Sequence, residues 1–265
     1  MPDSSPERSS FRLRLIKPIS TIFDLKPVLS AQSYIAMWAD NGETLLSQCS
    51  EEQRQIASLT KIMTAYTVLG LCKEYQVKVR EQWIPVHTRA SYMEGTSANL
   101  RSGEEVLLVD LLYGLLLPSG NDAGIALAQY FGKFLSFKYT KEQSMERYTP
   151  NLEEFNECRG YYDQEYEKES IRLFVFEMNR YAHTLGLANT RFDNPTGLTN
   201  SSNYSTPLDM ARLTRICLRS HLLRQIFRRK VHKCEVRNDK LGYNRYSSIH
   251  SGKFCGITPT SICIK

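Results

Sequence analysis

The chain has 265 residues, 42% hydrophobic and 23% charged, a composition that excludes wholesale disorder and is long enough to bury a core in one large or two-lobed domain. Its net charge of +6 is mildly basic, and the basic run from Arg212 to Lys240 carries no aromatic interleaving or nucleic-acid motif. That run reads as a solvated helix face followed by a charged strand; no nucleic-acid partner is expected, and a basic binding module at 212–240 is the weakest functional alternative.

The first 30 residues are rich in Ser, Pro and Arg and read as a flexible lead-in. Arg12, Arg14, Lys17 and Asp24 interrupt any apolar stretch of signal-peptide length, and no segment reaches the length of a membrane span. The compartment stays open on these observations. Residues 31–265 read as one catalytic domain. Tyr34 to Ala39 predicts a buried strand, Asp40-Asn41-Gly42 a turn and Glu43 to Gln48 the returning strand of a hairpin. From Ser58, apolar residues Leu59, Ile62, Met63, Tyr66 and Leu69 recur at helical spacing, so a helix is predicted to begin at Ser58. A second helix is predicted over Val106 to Leu117, broken by Pro118-Ser119-Gly120, and a third from Asn121. Residues 136–168, rich in Tyr, Glu and Lys, read as a surface insertion, partly helical or disordered. Helical pattern returns at Ile171 to Asn179, and Thr206-Pro207 opens a further helix.

Seven cysteines lack Cys-x-x-Cys spacing and read as free thiols. The five histidines show no metal-ligand spacing. No metal or cofactor is expected, and no Gly-x-Ser-x-Gly elbow supports a Ser-His-Asp enzyme.

The chemistry is carried by Ser58-Leu59-Thr60-Lys61. A serine hydroxyl becomes a nucleophile when a base takes its proton. Residues three apart share a helix face, so Lys61 is placed beside Ser58. A buried lysine loses proton affinity and can act as that base. Alone, the spacing is equally that of an N-cap serine and a surface lysine. This is the one Ser-x-x-Lys in the chain, and it opens a core helix. Ser119-Gly120-Asn121 is the second signal: on a loop between two apolar helices, a hydroxyl can relay a proton and an amide can bind a substrate carbonyl. The same spacing at Ser97 and at Ser201 has no such setting.

Ala57-Ser58-Leu59-Thr60-Lys61-Ile62-Met63-Thr64-Ala65 resembles the active-site helix of D-alanyl-D-alanine carboxypeptidases, the low-molecular-mass penicillin-binding proteins of the serine β-lactamase-like superfamily. Asp110 to Ala123, Phe174 to Asn179, Leu185 to Phe192, Asn194 to Leu198 and Tyr204 to Thr206 resemble the segments that follow, in order. The resemblance implies an α+β fold: an antiparallel sheet packed against helices, with a mostly helical lobe facing it across a cleft. It implies an acyl-enzyme on Ser58, with Lys61 as base, Ser119 and Asn121 on the opposite wall, and the Ser58 backbone N–H as half of an oxyanion hole. The implied partners are peptides ending in D-Ala-D-Ala, with β-lactams as covalent inhibitors.

The chain departs from this pattern at the third motif. Lys-Thr-Gly is missing from Ser251 to Thr260, where Gly256-Ile257 and Thr258-Pro259-Thr260 resemble its flanks and Lys253 is one residue out of register. The two strands that follow in the family are also missing, so the sheet is expected to be incomplete at the C-terminus with an edge bare, and activity to be impaired. The alternatives are a catalytically inactive binding protein and a β-lactamase-like hydrolase; the latter needs a deacylating carboxylate in the cleft.

Overall fold

The computed structural model describes residues 29–142, 164–198, 202–238, 242–250 and 261–264. The predicted hairpin is present as β1 (Tyr34–Trp38) and β2 (Thr44–Gln48), with Tyr34 opposite Gln48 and a bulge after Ala36. Its turn is made by side chains acting on the backbone. Asn41 donates its N–H to Asp40 Oδ1 at 2.8 Å, and Glu43 donates its N–H to Asn41 Oδ1 at 2.9 Å.

The far edge of β1 is taken by β9 (Ser261–Ile264), antiparallel, with Ile35 opposite Ile264 and Trp38 opposite Ser261. That edge is therefore paired rather than bare, and the order of this sheet is β2-β1-β9. A two-stranded sheet joins β3 (Arg54–Gln55) to β6 (Tyr204–Ser205). The third sheet runs β4-β5-β7-β8, from β4 (Trp83–Pro85), β5 (Glu105–Leu107), β7 (Val231–Asn238) and β8 (Tyr243–His250). All pairings are antiparallel. Along β7, Cys234, Val236 and Asn238 are buried while their neighbours are more exposed, the period of two of a half-buried strand. This is the charged strand anticipated after the basic helix face.

α1 (Thr60–Glu74) is buried on most of its circumference, from Thr60 through Ala65 and on to Thr67, Val68, Leu71 and Cys72. A helix enclosed on this scale is a central core element, and later helices pack on it. After the short α2 (Thr88–Ser91), α3 (Leu108–Leu116) starts two residues later than its apolar pattern predicts. Val106 and Leu107 belong instead to β5, where cross-strand pairing with β4 and β7 overrides helical periodicity.

α4 (Asn121–Glu142) and α5 (Gln164–Thr184) lie against each other. A Cβ on Gly132 would come within 1.8 Å of the Ser170 carbonyl oxygen, so glycine sets this close approach. Both helices reach into the span read as an insertion: 136–142 and 164–168 are helical, and 143–163 lies outside the described residues. α6 (Pro207–Cys217) begins as predicted, with Pro207 in its first turn and Thr206 Oγ1 accepting the Asp209 N–H at 3.1 Å. α7 (His221–Arg228) follows, capped by Ser220.

Polar side chains tie the third sheet to α3 and to the loop that leads into β5. His232 on β7 meets Asp110 of α3, Nε2 to Oδ1 at 2.6 Å, and stacks on Tyr113 at 3.6 Å. Arg245 on β8 forms a two-pronged pair with the buried Glu104, at 2.7 and 2.8 Å, and donates to the Asn99 carbonyl at 3.0 Å. Among the described cysteines, Cys72, Cys217 and Cys234 are buried free thiols and Cys49 is exposed. Burial pushes Cys72 and Cys217 up to about 12 and Cys234 to about 11, which makes them inert.

Candidate active site

Ser58 lies in a single 3-10 turn, Ala57–Leu59, that runs directly into α1. It does not cap the helix: the residue before α1 is Leu59, and no side chain caps there. A capping hydroxyl would be held by backbone N–H groups; Ser58 Oγ is held by Lys61 instead, with Nζ at 3.1 Å. The turn is sharp because Ala57 has φ 45°, a left-handed conformation that costs a non-glycine residue roughly 1–2 kcal/mol.

Lys61 is fully buried, and its amine has three partners: Ser58 Oγ, Asn121 Oδ1 at 2.8 Å and the Thr196 carbonyl oxygen at 2.6 Å. Burial pushes its pKa down to about 8, with the nearby Asp122 carboxylate opposing the shift.

Two segments bring these acceptors to Lys61. The first is the turn Asn194–Gly197. Asn194 Oδ1 accepts the N–H groups of Thr196 at 3.1 Å and Gly197 at 2.6 Å, which turns the Thr196 carbonyl toward α1. Thr64, one turn beyond Lys61, donates its hydroxyl to the Pro195 carbonyl at 2.7 Å. At the start of α1, Asn203 Nδ2 donates to Thr60 Oγ1 at 2.9 Å.

The second is the break between α3 and α4. Ser119 has φ 61°, and Gly120 donates its N–H back to the Gly114 carbonyl at 3.0 Å. The chain then re-enters a helix at Asn121, with the Asn121 amide oxygen on Lys61 and its Nδ2 donating to the Glu94 carbonyl at 2.7 Å. Ser119 Oγ is buried and has no hydrogen-bond partner among the described residues.

The structure thus joins Ser58, Lys61 and Asn121 in one hydrogen-bonded set, and places Ser119 two residues from Asn121 with its hydroxyl unbound. Among the described residues, Lys61 makes no hydrogen bond to Ser119. Asn121 uses its amide oxygen to orient Lys61. Sequence reasoning missed the Thr196 carbonyl, Asp122 and the Glu94–Leu100 segment. The Asn-Pro-Thr-Gly string signals a turn, but a backbone acceptor leaves no mark in residue identity. Residues 251–260, with Lys253 and the missing third motif, lie outside the described residues. Among the described residues no group of His, Cys, Asp or Glu could hold a metal ion, and no helix is long and apolar enough to cross a membrane.

Comparison with known proteins bears on this geometry. The chain is 30% identical over 189 residues to the D-alanyl-D-alanine carboxypeptidase DacF of Bacillus subtilis, covering 71% of this chain and 39% of that protein. It is 29% identical over 217 residues to a D-alanyl-D-alanine carboxypeptidase of Streptomyces strain K15, covering 80% of this chain and 62% of that protein. The chain therefore spans about 40–60% of the length of these curated relatives. A single-site variant of the Streptomyces K15 DD-transpeptidase superposes with a TM-score of 0.67 at 27% identity, over 85% of this chain and 75% of that one. The D-alanyl-D-alanine carboxypeptidase DacD of Francisella tularensis superposes at 0.61 and 26% identity, over 78% and 41% of the two chains. A sequence model described as D-alanyl-D-alanine carboxypeptidase matches residues 22–161 and 164–255. With the α+β antiparallel architecture and a buried lysine on the Ser58 hydroxyl, the chain belongs to the D-alanyl-D-alanine carboxypeptidase family.

Proposed function

We propose that this chain is the catalytic unit of a serine D-Ala-D-Ala carboxypeptidase acting on peptidoglycan-type peptides. The observation that carries the reading is the Lys61 amine on Ser58 Oγ, buried and held near pKa 8. A neutral amine has two N–H donors and one lone pair. Asn121 Oδ1 and the Thr196 carbonyl take the two donors, which leaves the lone pair for the Ser58 proton.

Lys61 takes that proton as Ser58 Oγ attacks the carbonyl carbon of the D-Ala-D-Ala bond. The tetrahedral oxyanion forms against the Ser58 N–H. As the bond to the leaving amine breaks, the proton passes to D-alanine, and Ser119, whose hydroxyl has no partner among the described residues, is the relay. Water activated by Lys61 then hydrolyses the ester and restores Ser58. Asn121 holds Lys61 in line, and its second Nδ2 hydrogen is the contact for the substrate carbonyl.

The proposal includes weak turnover, because the sequence from Ser251 to Thr260 lacks the Lys-Thr-Gly that in the family contributes an oxyanion donor and a cation for the terminal carboxylate. Losing one oxyanion donor slows such reactions on the order of 100- to 1000-fold. The same gap supports a second reading, a protein that binds these peptides without turnover. A β-lactamase is disfavoured: Asp122, the carboxylate acting on Lys61, is occupied by backbone N–H groups and Ser97.

Fluorescent penicillin should label the chain at Ser58, and Ser58→Ala should abolish the label. Label that persists in that variant overturns the assignment. Release of D-alanine from a diacetyl-Lys-D-Ala-D-Ala peptide separates the two readings: slow release supports the enzyme, and labelling without release supports the binding protein.

A further inference from the structure

Asn121 presents its amide oxygen to Lys61 only if the Ser119–Asn121 loop is held in place, and that loop carries one strained residue, the left-handed Ser119, beside the Gly120 return. What holds it is the segment from Glu94 to Leu100. Thr96 donates its hydroxyl to the Ser119 carbonyl at 2.6 Å and accepts the Asn121 N–H on its own carbonyl at 2.7 Å. The Glu94 carbonyl takes Asn121 Nδ2.

This segment is in turn wrapped around one carboxylate. Asp122 Oδ2 accepts the Ser97 hydroxyl at 2.6 Å and the N–H groups of Ala98 at 3.0 Å and Leu100 at 3.1 Å. Its Oδ1 accepts Ala98 N–H at 2.9 Å and Ala123 N–H at 2.8 Å. The side chain is almost wholly buried. Gly120 is pressed against it: a Cβ there would lie 2.7 Å from Asp122 Oδ1, 2.7 Å from the Gly114 carbonyl and 3.0 Å from Ala98 N.

Given the site read above, we propose that Asp122 is a positioning residue, which folds the 94–100 segment onto the Ser119–Asn121 loop and thereby fixes Asn121 and the charge around Lys61. The hydrogen-bond partners of the Asp122 carboxylate among the described residues are Ser97, Ala98, Leu100 and Ala123, not Ser58, so it acts through its neighbours. Its second effect is electrostatic. Asp122 on α4 is the charged group acting on the Lys61 amine. The groups that are hydrogen-bonded to that amine are neutral: the Ser58 hydroxyl, the Asn121 amide oxygen and the Thr196 carbonyl. Removing the carboxylate therefore leaves burial unopposed and makes Lys61 a weaker base.

The two effects have different signatures. A residue that served stability alone would move the melting temperature and nothing else. Asp122→Asn removes the charge and turns one acceptor atom into a donor, and Thr96→Val removes the clasp to Ser119 while keeping the carboxylate. Three readouts on the folded chain distinguish them: the NMR titration of Lys61 Cε, amide hydrogen exchange across 119–121, and the rate of Ser58 labelling by fluorescent penicillin.

In Asp122→Asn the Lys61 midpoint should fall below that of the parent, exchange should quicken, and labelling should slow on the order of 10- to 100-fold, the range for a displaced site group. In Thr96→Val the midpoint should stay put, with faster exchange and several-fold slower labelling. An unmoved Lys61 midpoint in Asp122→Asn overturns the proposal. So does parental exchange in Thr96→Val, which decides the matter if Asp122→Asn fails to fold. If the parent itself is never labelled at Ser58, the carboxypeptidase reading fails, while the midpoint and the exchange still judge Asp122.

Discussion

Gly197 lies so close to Ala57 that a Cβ on it would come within 1.8 Å of the Ala57 carbonyl oxygen and 3.0 Å of the Ser58 nitrogen. Gly197 also has φ 81°, so a side chain there is strained by its own backbone as well. The turn that offers the Thr196 carbonyl to Lys61 and the turn that carries Ser58 therefore pack backbone to backbone. Gly197→Ala should force them apart, lowering stability by about 3 kcal/mol and nearly abolishing penicillin labelling. Gly186→Ala is the matched control: φ is 70°, but nothing lies within 4 Å. It should cost about 1 kcal/mol and leave labelling intact. Denaturant melts and labelling of both variants make the check.

Labelling should depend on pH through Lys61. The amine must be neutral to take the Ser58 proton, so the acylation rate should climb with pH through a midpoint near 8. Stability should move in the same direction. The folded pKa lies below the unfolded value of 10.5, so between about 8 and 10.5 the unfolded chain holds a proton that the folded chain has released. Lys61 therefore contributes a gain in stability as pH rises through that window, and its burial penalty is fully present below 8. A labelling rate that is flat from pH 6 to 9 would remove Lys61 from the role of base.

Asn121→Ala should weaken labelling on the order of 100-fold. It takes one acceptor from the Lys61 amine and leaves the Glu94 carbonyl without its Nδ2 donor. The stability loss should be about 2 kcal/mol, the scale of buried polar groups left unpaired. Labelling kinetics and a thermal melt measure the two effects separately.

Arg245→Ala tests the tie between β8 and the loop beside the site. Glu104 is buried, and Arg245 is its two-pronged partner as well as a donor to the Asn99 carbonyl. Removing the guanidinium should destabilise the protein by about 3 kcal/mol at pH 7. Urea melts of the parent and the variant measure the loss.

Much of this fold is legible in residue order, and the reasons differ by element. The β1–β2 hairpin follows from Asp40-Asn41-Gly42, whose side chains build the turn locally. α6 follows from Thr206 and Pro207, a cap and a first-turn proline that need no tertiary partner. The start of α3 does not follow, because Val106 and Leu107 obey strands β4 and β7, which are distant in sequence. The same division runs through the site. The Ser58–Lys61 pair is a property of helical spacing and can be read directly. The Thr196 carbonyl is a backbone group contributed from a remote turn. Asp122 looks like any acidic residue in a first helical turn until the 94–100 segment is seen wrapped around it. The placement of the Ser119 hydroxyl depends on a left-handed backbone that Ser119 does not announce.

The pairing of β1 with β9 has a bearing on how the chain comes to be folded. Ile35 finds Ile264 across nearly the whole sequence, whereas α1, α3 and α4 meet within a stretch of chain about a third as long. Contacts so far apart close slowly, since the intervening chain must be ordered first. During synthesis the helical core and the Ser58–Lys61–Asn121 set can therefore assemble while β1 still presents an open edge to the ribosome's surroundings. In that interval the nascent protein is exposed to strand-to-strand association with its neighbours, and chaperone capture of the β1–β2 hairpin would protect it.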